Sequence, residues 1–120
     1  MVENIQKEIE RIVEKLISAY LPEMIILFGS YANEQYRVDS DVDLLIVKRT
    51  RKKPIWRRVE VRKIIDTNIP MDIIVLTPKE FLQLKNSKSG FLLEILKTGK
   101  ILYEKSPHKN THLFKMDEVC

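Results

Sequence analysis

The apolar run from Met24 to Phe28 (MIILF) constrains the fold of this chain more than any other segment. The run is short and continuous, and it stops at Gly29. A strand that alternates with polar residues can face water on one side, but a strand that is apolar throughout has to be covered on both sides. The run therefore predicts a strand that is buried on both faces.

Three further segments have the pattern of strands. Residues 41–47 alternate between polar and apolar in their first half and are then wholly apolar, which predicts a second strand that enters the core. The segment Met71–Leu76 predicts a third strand, and Lys100–Glu104 predicts a short final one. The chain is therefore expected to contain a sheet of about four strands.

Helical patterns lie between these strands. The first has apolar residues at helical spacing from Ile5 to Tyr20 with charged residues between them, so it is an amphipathic helix that ends before Pro22. Capping and proline signals predict four more helices. They run from Ser30 to about Tyr36, from Pro54 to about Thr67, after Thr77 to about Leu84, and from Ser89 to Gly99, the last with Phe91, Leu92, Ile95 and Leu96 on one face.

Alternation of helices and strands, without internal repeats or a linker, predicts an α/β fold in which helices pack on a small mixed β-sheet. A length of 120 residues suits one domain with a single core. We assign the domain to residues 1–104. The tail, residues 105–120, has no clear periodicity and is expected to be mobile or bound to a partner.

Composition and cysteine content restrict the class of protein. Hydrophobic residues make up 44% and charged residues 32%, and the net charge of +4 suits phosphate-bearing or acidic partners without identifying one. The single cysteine, Cys120, excludes an intramolecular disulfide and a cysteine-based zinc site. We find no signal-peptide pattern and no apolar segment long enough for a membrane span, so a cytoplasmic location is expected.

Three acidic residues stand where strands should be apolar: Asp41 and Asp43 on the second strand and Asp72 on the third. Residues i and i+2 of a strand point to the same face, about 6 to 7 Å apart. If the third strand neighbours the second, Asp72 joins them. Carboxylates gathered in this way suit Mg²⁺, and two ions about 3.5 to 4 Å apart are expected.

Gly29 and Ser30 lie between a buried strand and the start of a predicted helix. Glycine permits a close approach of the backbone, serine adds a hydroxyl, and the N–H groups of a helix N-terminus bind anions. Phosphate at this turn and metal at the carboxylates together indicate phosphoryl or nucleotidyl transfer.

The same residues carry a family resemblance. Gly29-Ser30-Tyr31-Ala32, followed by Ser40-Asp41-Val42-Asp43-Leu44, resembles the GSxAxG and SDxDL signature of nucleotidyltransferases of the DNA polymerase beta superfamily. The short chain, with Asp72 in the sequence MDIIV, is similar to the minimal nucleotidyltransferases (MNT) of bacteria and archaea. The resemblance covers about residues 20–104 and implies the polymerase beta-like nucleotidyltransferase fold.

The resemblance also implies roles and partners. Asp41 and Asp43 would bind the metal ions, and Asp72 would complete the metal site and help to activate the acceptor hydroxyl. Many such domains are antitoxins that inactivate a helical HEPN toxin by transferring AMP to a tyrosine, which implies ATP, Mg²⁺, a HEPN-type partner and a type VII toxin–antitoxin pair. The family usually has Arg and then Gly after the alanine, where this chain has Asn33 and Glu34.

Other interpretations stay open from the sequence. An antitoxin that neutralises its toxin by binding alone is one, and a small-molecule nucleotidyltransferase of the aminoglycoside-modifying kind is another. The basic stretch from Lys48 to Arg58, which contains Trp56, could follow nucleic acid, but we favour a solvated helix face. We also favour a solvated edge residue for Asp39, no metal site at His108 and His112, and packing roles for Tyr31, Tyr36 and Tyr103.

Overall fold

A computed structural model describes residues 2–33 and 40–105 of the chain. In this part of the chain, helices cover both sides of a four-stranded sheet. The elements are α1 (Val2–Ala19), β1 (Met24–Phe28), a 3₁₀ turn (Gly29–Tyr31), β2 (Val42–Val47), α2 (Pro54–Ile65), β3 (Met71–Leu76), α3 (Pro78–Asn86), α4 (Gly90–Thr98) and β4 (Lys100–Glu104).

The sheet is mixed, and its strand order is β3-β2-β1-β4. The strand β1 pairs antiparallel with both β2 and β4, whereas β2 and β3 are parallel. The two interior strands are β1 and β2, and almost all of their residues are buried, because interior strands are covered on both faces. The mixed α/β fold predicted from the sequence is confirmed, and β3 does neighbour β2.

Successive residues of β2 face opposite sides of the sheet and therefore belong to two hydrophobic cores, rather than to the single core expected from the length of the chain. Leu44 and Ile46 pack in the first core, with α1 and α2, while Leu45 and Val47 pack in the second, with α3 and α4. The first core contains Ile9, Ile12, Val13, Leu16, Tyr20, Ile25, Leu27, Ala32, Val42, Leu44, Ile46, Val61, Ile65, Met71, Ile73 and Val75. The second contains Met24, Ile26, Leu45, Val47, Phe81, Leu92, Ile95 and Leu96.

Most predicted helix boundaries agree with the structure. Pro54 opens α2, and Thr77 with Glu80 forms both hydrogen bonds of the capping box of α3. The Ser89 side chain caps α4 by accepting a hydrogen bond from the N–H of Leu92. These caps satisfy N–H groups that the first turn of a helix leaves without intrahelical partners.

The segment after β1 differs from the prediction. The structure has a 3₁₀ turn that begins at Gly29, with Phe28 at the N-cap position and no side-chain cap hydrogen bond, so Ser30 lies inside the turn rather than capping a helix. The positive φ of 75° at Gly29 turns the chain within one residue, before a serine cap could form. The predicted continuation to Tyr36 lies outside the described residues.

The structure does not describe the tail beyond residue 105, so the expectations for its mobility and for His108 and His112 lie outside the described residues. Asp39, Glu34 and Tyr36 lie outside them as well. Among the helices of residues 2–33 and 40–105, none is both long enough and apolar enough to cross a membrane.

Candidate active site

The strand register brings Asp43 and Asp72 side by side. Asp43 is the second residue of β2, and its Cα partners are Phe28 on β1 and Asp72 on β3. Neighbouring strands lie about 4.8 Å apart, and partners in a parallel register direct their side chains to the same face. Asp43 shares its face with Leu45 and therefore lies on the side of the sheet covered by α3 and α4.

The three carboxylates differ in their exposure because they occupy different places in the sheet. Asp43 is half-buried on an interior strand, whereas Asp72 is exposed on the edge strand β3. Asp41 is exposed and immediately precedes β2. All three lie at the end of the sheet where β2 and β3 begin, because β3 neighbours β2 in parallel.

The electrostatics of Asp43 reflect these neighbours. Burial raises the pKa of the Asp43 carboxyl above its usual range, and the negative charges of Asp72 and Asp41 raise it further. Within residues 2–33 and 40–105, no lysine or arginine forms an ion pair with any of the three carboxylates. A cation at this end of the sheet would therefore relieve their mutual repulsion.

Gly29 is required by the position of the Asp43 carboxylate. Its φ of 75° lies in the left-handed region, and a Cβ atom at this position would collide with Oδ2 of Asp43. A side chain at residue 29 would therefore strain the backbone and displace the Asp43 carboxylate, so glycine is the residue that fits this turn. The glycine of the signature thus serves the packing of the site as well as the turn.

The turn that begins at Gly29 contains Ser30 as its second residue. The backbone N–H groups of Ala32 and Asn33 both donate to the carbonyl of Gly29, at 3.1 and 3.2 Å. In the described part of the chain, neither the N–H nor the hydroxyl of Ser30 has a hydrogen-bond partner. Both groups of Ser30 are therefore available to a phosphate oxygen, which is the role predicted for Gly29 and Ser30.

The donor set fits Mg²⁺, because carboxylate oxygens that lack a counter-charge are the ligands that this ion prefers. Among the described residues, no group of three or more His, Cys, Asp and Glu side chains is arranged so that it could hold a metal ion. Asp41, Asp43 and Asp72 thus share one end of the sheet, and Asp43 and Asp72 share a register, without converging on a single point.

Two aromatic residues at this site were not recognised as site residues from the sequence. Phe28 is the Cα partner of Asp43, and its ring packs edge-to-face against Phe91, with centroids 6.0 Å apart and an angle of 88°. Phe91 was predicted to lie on one face of α4 with Leu92, Ile95 and Leu96, but it is 54% exposed whereas the other three are buried. The sequence feature that could have indicated its exposure is its place in the first turn of a helix, directly after the cap at Ser89.

The remaining sequence candidates take structural or surface positions. Tyr31 and Tyr103 are partly buried and pack against the first core, in agreement with their predicted packing roles. Trp56 is exposed, as expected of a solvated helix face. Arg57 departs from that expectation, because it is buried.

The fold is similar to that of known nucleotidyltransferases. A candidate nucleotidyltransferase from Sulfolobus solfataricus matches with 22% identity and a TM-score of 0.57, over 83% of this chain and 80% of that chain. A toxin–antitoxin structure with AMP-PNP matches with 21% identity and a TM-score of 0.55, over 92% and 82% of the two chains. These likenesses show the fold.

A third similar structure contains a tri-AMPylated HEPN toxin of Shewanella oneidensis in complex with its MNT antitoxin. It matches with 19% identity and a TM-score of 0.52, over 94% of this chain and 83% of that chain. No match was found among curated protein sequences. The family model described as "Polymerase beta, Nucleotidyltransferase" matches residues 6–108, a range that includes the paired carboxylates and the Gly29 turn, so the chain belongs to this nucleotidyltransferase family.

Proposed function

We propose that this chain transfers AMP from ATP to a tyrosine hydroxyl of a HEPN-type toxin, with Mg²⁺, and so acts as the antitoxin of a type VII toxin–antitoxin pair. The observation that carries the proposal is the register of Asp43 with Asp72 beside the Gly29–Tyr31 turn. Membership of the nucleotidyltransferase family supports the reaction class. The similar structures that contain an AMP-PNP-bound toxin–antitoxin and an AMPylated HEPN toxin support the donor and the acceptor.

The reaction places different demands on the two parts of the site. Transfer forms a bond between the acceptor oxygen and the α-phosphorus, breaks the bond from that phosphorus to the bridging oxygen, and releases pyrophosphate. Mg²⁺ bound by Asp41, Asp43 and Asp72 would supply positive charge to the phosphate oxygens. Ser30 would orient the phosphates, and Asp72 would take the proton of the acceptor hydroxyl.

The position of Asp72 suits a protein acceptor. It is exposed on β3, which is an edge strand of the described sheet, so a large partner can bring a side chain to this carboxylate without displacing a helix. A tyrosine on a mobile or protruding segment of the partner would satisfy this geometry. The proposed assembly is therefore a hetero-oligomer of this chain with its toxin.

The direct test is to incubate the purified chain with the HEPN-type protein encoded beside it, Mg²⁺ and ATP, and to measure both intact masses. We expect the partner to gain mass in steps of one AMP, and we expect Asp43→Asn to abolish this gain. Asp66→Asn is the matched control, because Asp66 is an exposed aspartate at the C-cap of α2 with a left-handed backbone that asparagine also tolerates. Full labelling of the partner by Asp43→Asn would disprove the assignment of the site.

A second candidate is an antitoxin that neutralises its toxin by binding alone. Asn33 favours it, because this exposed residue stands where the family usually has an arginine that could contact phosphate. Asp41→Ala separates the two functions: binding alone predicts that this variant still forms the complex and still neutralises the toxin. Loss of neutralisation in a complex that remains intact would favour catalysis.

A further inference from the structure

Phe91 is an exposed aromatic residue on the catalytic side of the sheet. The helix α4 packs on this side through Leu92, Ile95 and Leu96, which are almost completely buried. Phe91 stands one residue before this buried set and is 54% exposed. The core covers the phenyl ring only in part, so a ligand can contact the rest of it.

Contacts through Phe28 connect Phe91 to the carboxylates. The ring of Phe28 meets that of Phe91 edge-to-face at 6.0 Å, and Phe28 is the Cα partner of Asp43 across β1 and β2. The space beside the start of α4 is open, since a Cβ atom added at Gly90 would meet no atom within 4 Å. Phe28 thus contacts the ring of Phe91 on one side, and the residue as a whole remains 54% exposed.

The order of residues across the sheet indicates which substrate reaches Phe91. Asp72 lies on β3, Asp43 on β2, and Phe28 with Gly29 on β1, so Asp72 and Phe28 are on opposite sides of Asp43. In an in-line transfer, the attacking oxygen and the leaving pyrophosphate lie on opposite sides of the phosphorus. If the leaving phosphates lie at the Gly29 turn, the acceptor approaches from the open edge at Asp72. Phe91, which contacts Phe28 on β1, is then on the side away from the acceptor, where only the nucleotide donor can reach it.

We propose that Phe91 provides a stacking surface for the purine base of the nucleotide donor. The inference rests on the proposed function, because it takes the Gly29 turn as the place of the donor's phosphates. A purine has a flat π-face of a size that an exposed phenyl ring can cover, and such stacking depends on the ring rather than on particular hydrogen bonds. Phe91 is therefore a binding residue for the base, distinct from the carboxylates that act at the phosphorus.

The test compares ATP with inorganic tripolyphosphate, which has the phosphates and lacks the base. Binding of each to the full chain with Mg²⁺ is measured by calorimetry, without the acceptor protein, for the wild type and for Phe91→Ala. We expect Phe91→Ala to weaken ATP binding about tenfold, as is typical for the loss of one base–aromatic stack, and to leave tripolyphosphate binding unchanged. Phe91→Trp, which keeps an aromatic ring at this position, should bind ATP as the wild type does.

Ile55→Ala is the control, because Ile55 is also 54% exposed but belongs to α2, which packs on the opposite side of the sheet. Equal ATP affinity in Phe91→Ala and the wild type would overturn the inference, and so would an equal loss for ATP and tripolyphosphate. If Phe91→Ala bound ATP normally and lost only labelling of the partner, Phe91 would contact the acceptor instead. Phe91-dependent ATP binding by a chain that labels no partner would leave the inference intact and refute the proposed function.

Discussion

At the scale of single residues, the candidate site is a set of charges that folding alone does not favour. Asp43 is half-buried, and its pKa is raised first by that burial and then by Asp72 and Asp41. An asparagine or a serine would avoid both costs in the metal-free chain. Residues that oppose stability in this way are characteristic of functional sites, where a ligand completes the interactions.

The first prediction concerns Gly29. Gly29→Ala should reduce the free energy of unfolding by about 1–3 kcal/mol, because the alanine has to adopt a left-handed backbone and its Cβ collides with the Asp43 carboxylate. Urea denaturation at neutral pH measures the change. Gly90→Ala is the control, since the space at Gly90 is open and alanine favours a helix, so this variant should be unchanged or slightly more stable. Equal destabilisation by both substitutions would contradict the explanation.

The sequence predicted the carboxylates at this scale but not Phe91. Charged residues within apolar strand patterns are anomalies that a sequence displays directly, so Asp41, Asp43 and Asp72 could be recognised. The helical period placed Phe91 with Leu92 on one face of α4. It could not show that Phe91 is exposed, because a period of 3.6 residues does not reveal where the first turn of a helix extends beyond the sheet that it covers.

At the scale of elements, one buried arginine joins α2, α3 and the edge of β3. Arg57 is 5% exposed, and its guanidinium donates to the carbonyl of Val75 at 3.0 Å and to Glu80 at 2.8 and 3.2 Å. Arg62 of the same helix donates to the carbonyl of Met71 at 2.8 Å. These arginines donate hydrogen bonds to backbone carbonyl groups of β3. Because β3 is an edge strand, its unpaired backbone groups could otherwise form hydrogen bonds with another chain.

The second prediction concerns Glu80. Glu80→Gln should lower the free energy of unfolding by about 2 kcal/mol at pH 7, because it leaves the buried Arg57 without its counter-charge while keeping an acceptor for the N–H of Thr77. The hydrogen bonds from Arg57, above all, lower the pKa of Glu80 in the folded chain. Because the pKa of Glu80 is lower in the folded chain than in the unfolded chain, its ionised form stabilises the fold at pH values above the unfolded pKa of 4.5. This stabilisation is lost as the pH falls through the pKa of the folded chain.

Denaturation of Glu80→Gln and the wild type at several pH values checks this sign. The difference between them should be largest near pH 7 and should shrink as the pH falls below about 4.5. Glu60→Gln is the matched control, because Glu60 pairs with the exposed Lys52 and exposed pairs contribute little. A difference that stays constant from pH 7 to pH 3 would show that the charge of Glu80 is not the cause.

Element boundaries followed closely from capping and proline signals, whereas the role of Arg57 did not. Pro54, Thr77 and Ser89 mark helix starts because each has a local effect on the backbone. Arg57 lies in a basic stretch that is otherwise exposed, and its partner Glu80 is 23 residues away in sequence. A contact of that kind depends on how α2 and α3 are placed on the sheet, which local patterns do not encode.

At the scale of the whole molecule, the sheet separates two surfaces with different chemistry. Asp43 and Phe91 lie on the side of α3 and α4, while the exposed Trp56 belongs to α2 on the opposite side. The sequence predicted the fold class, since alternating helix and strand patterns allow few architectures. It did not predict the strand order, which is what aligns Asp43 with Asp72, because residues 29 apart in sequence become neighbours only through the tertiary fold.

The most direct test of the central claim is to measure Mn²⁺ binding by electron paramagnetic resonance, because Mn²⁺ shares the preference of Mg²⁺ for oxygen ligands. The claim is that Asp41, Asp43 and Asp72, which do not converge in the metal-free structure, come together around a bound metal ion. We predict that the wild type and Asp66→Asn reduce the signal of free Mn²⁺ equally, and that Asp43→Asn and Asp72→Asn each lose this effect. Unchanged Mn²⁺ binding in both Asp43→Asn and Asp72→Asn would contradict the account.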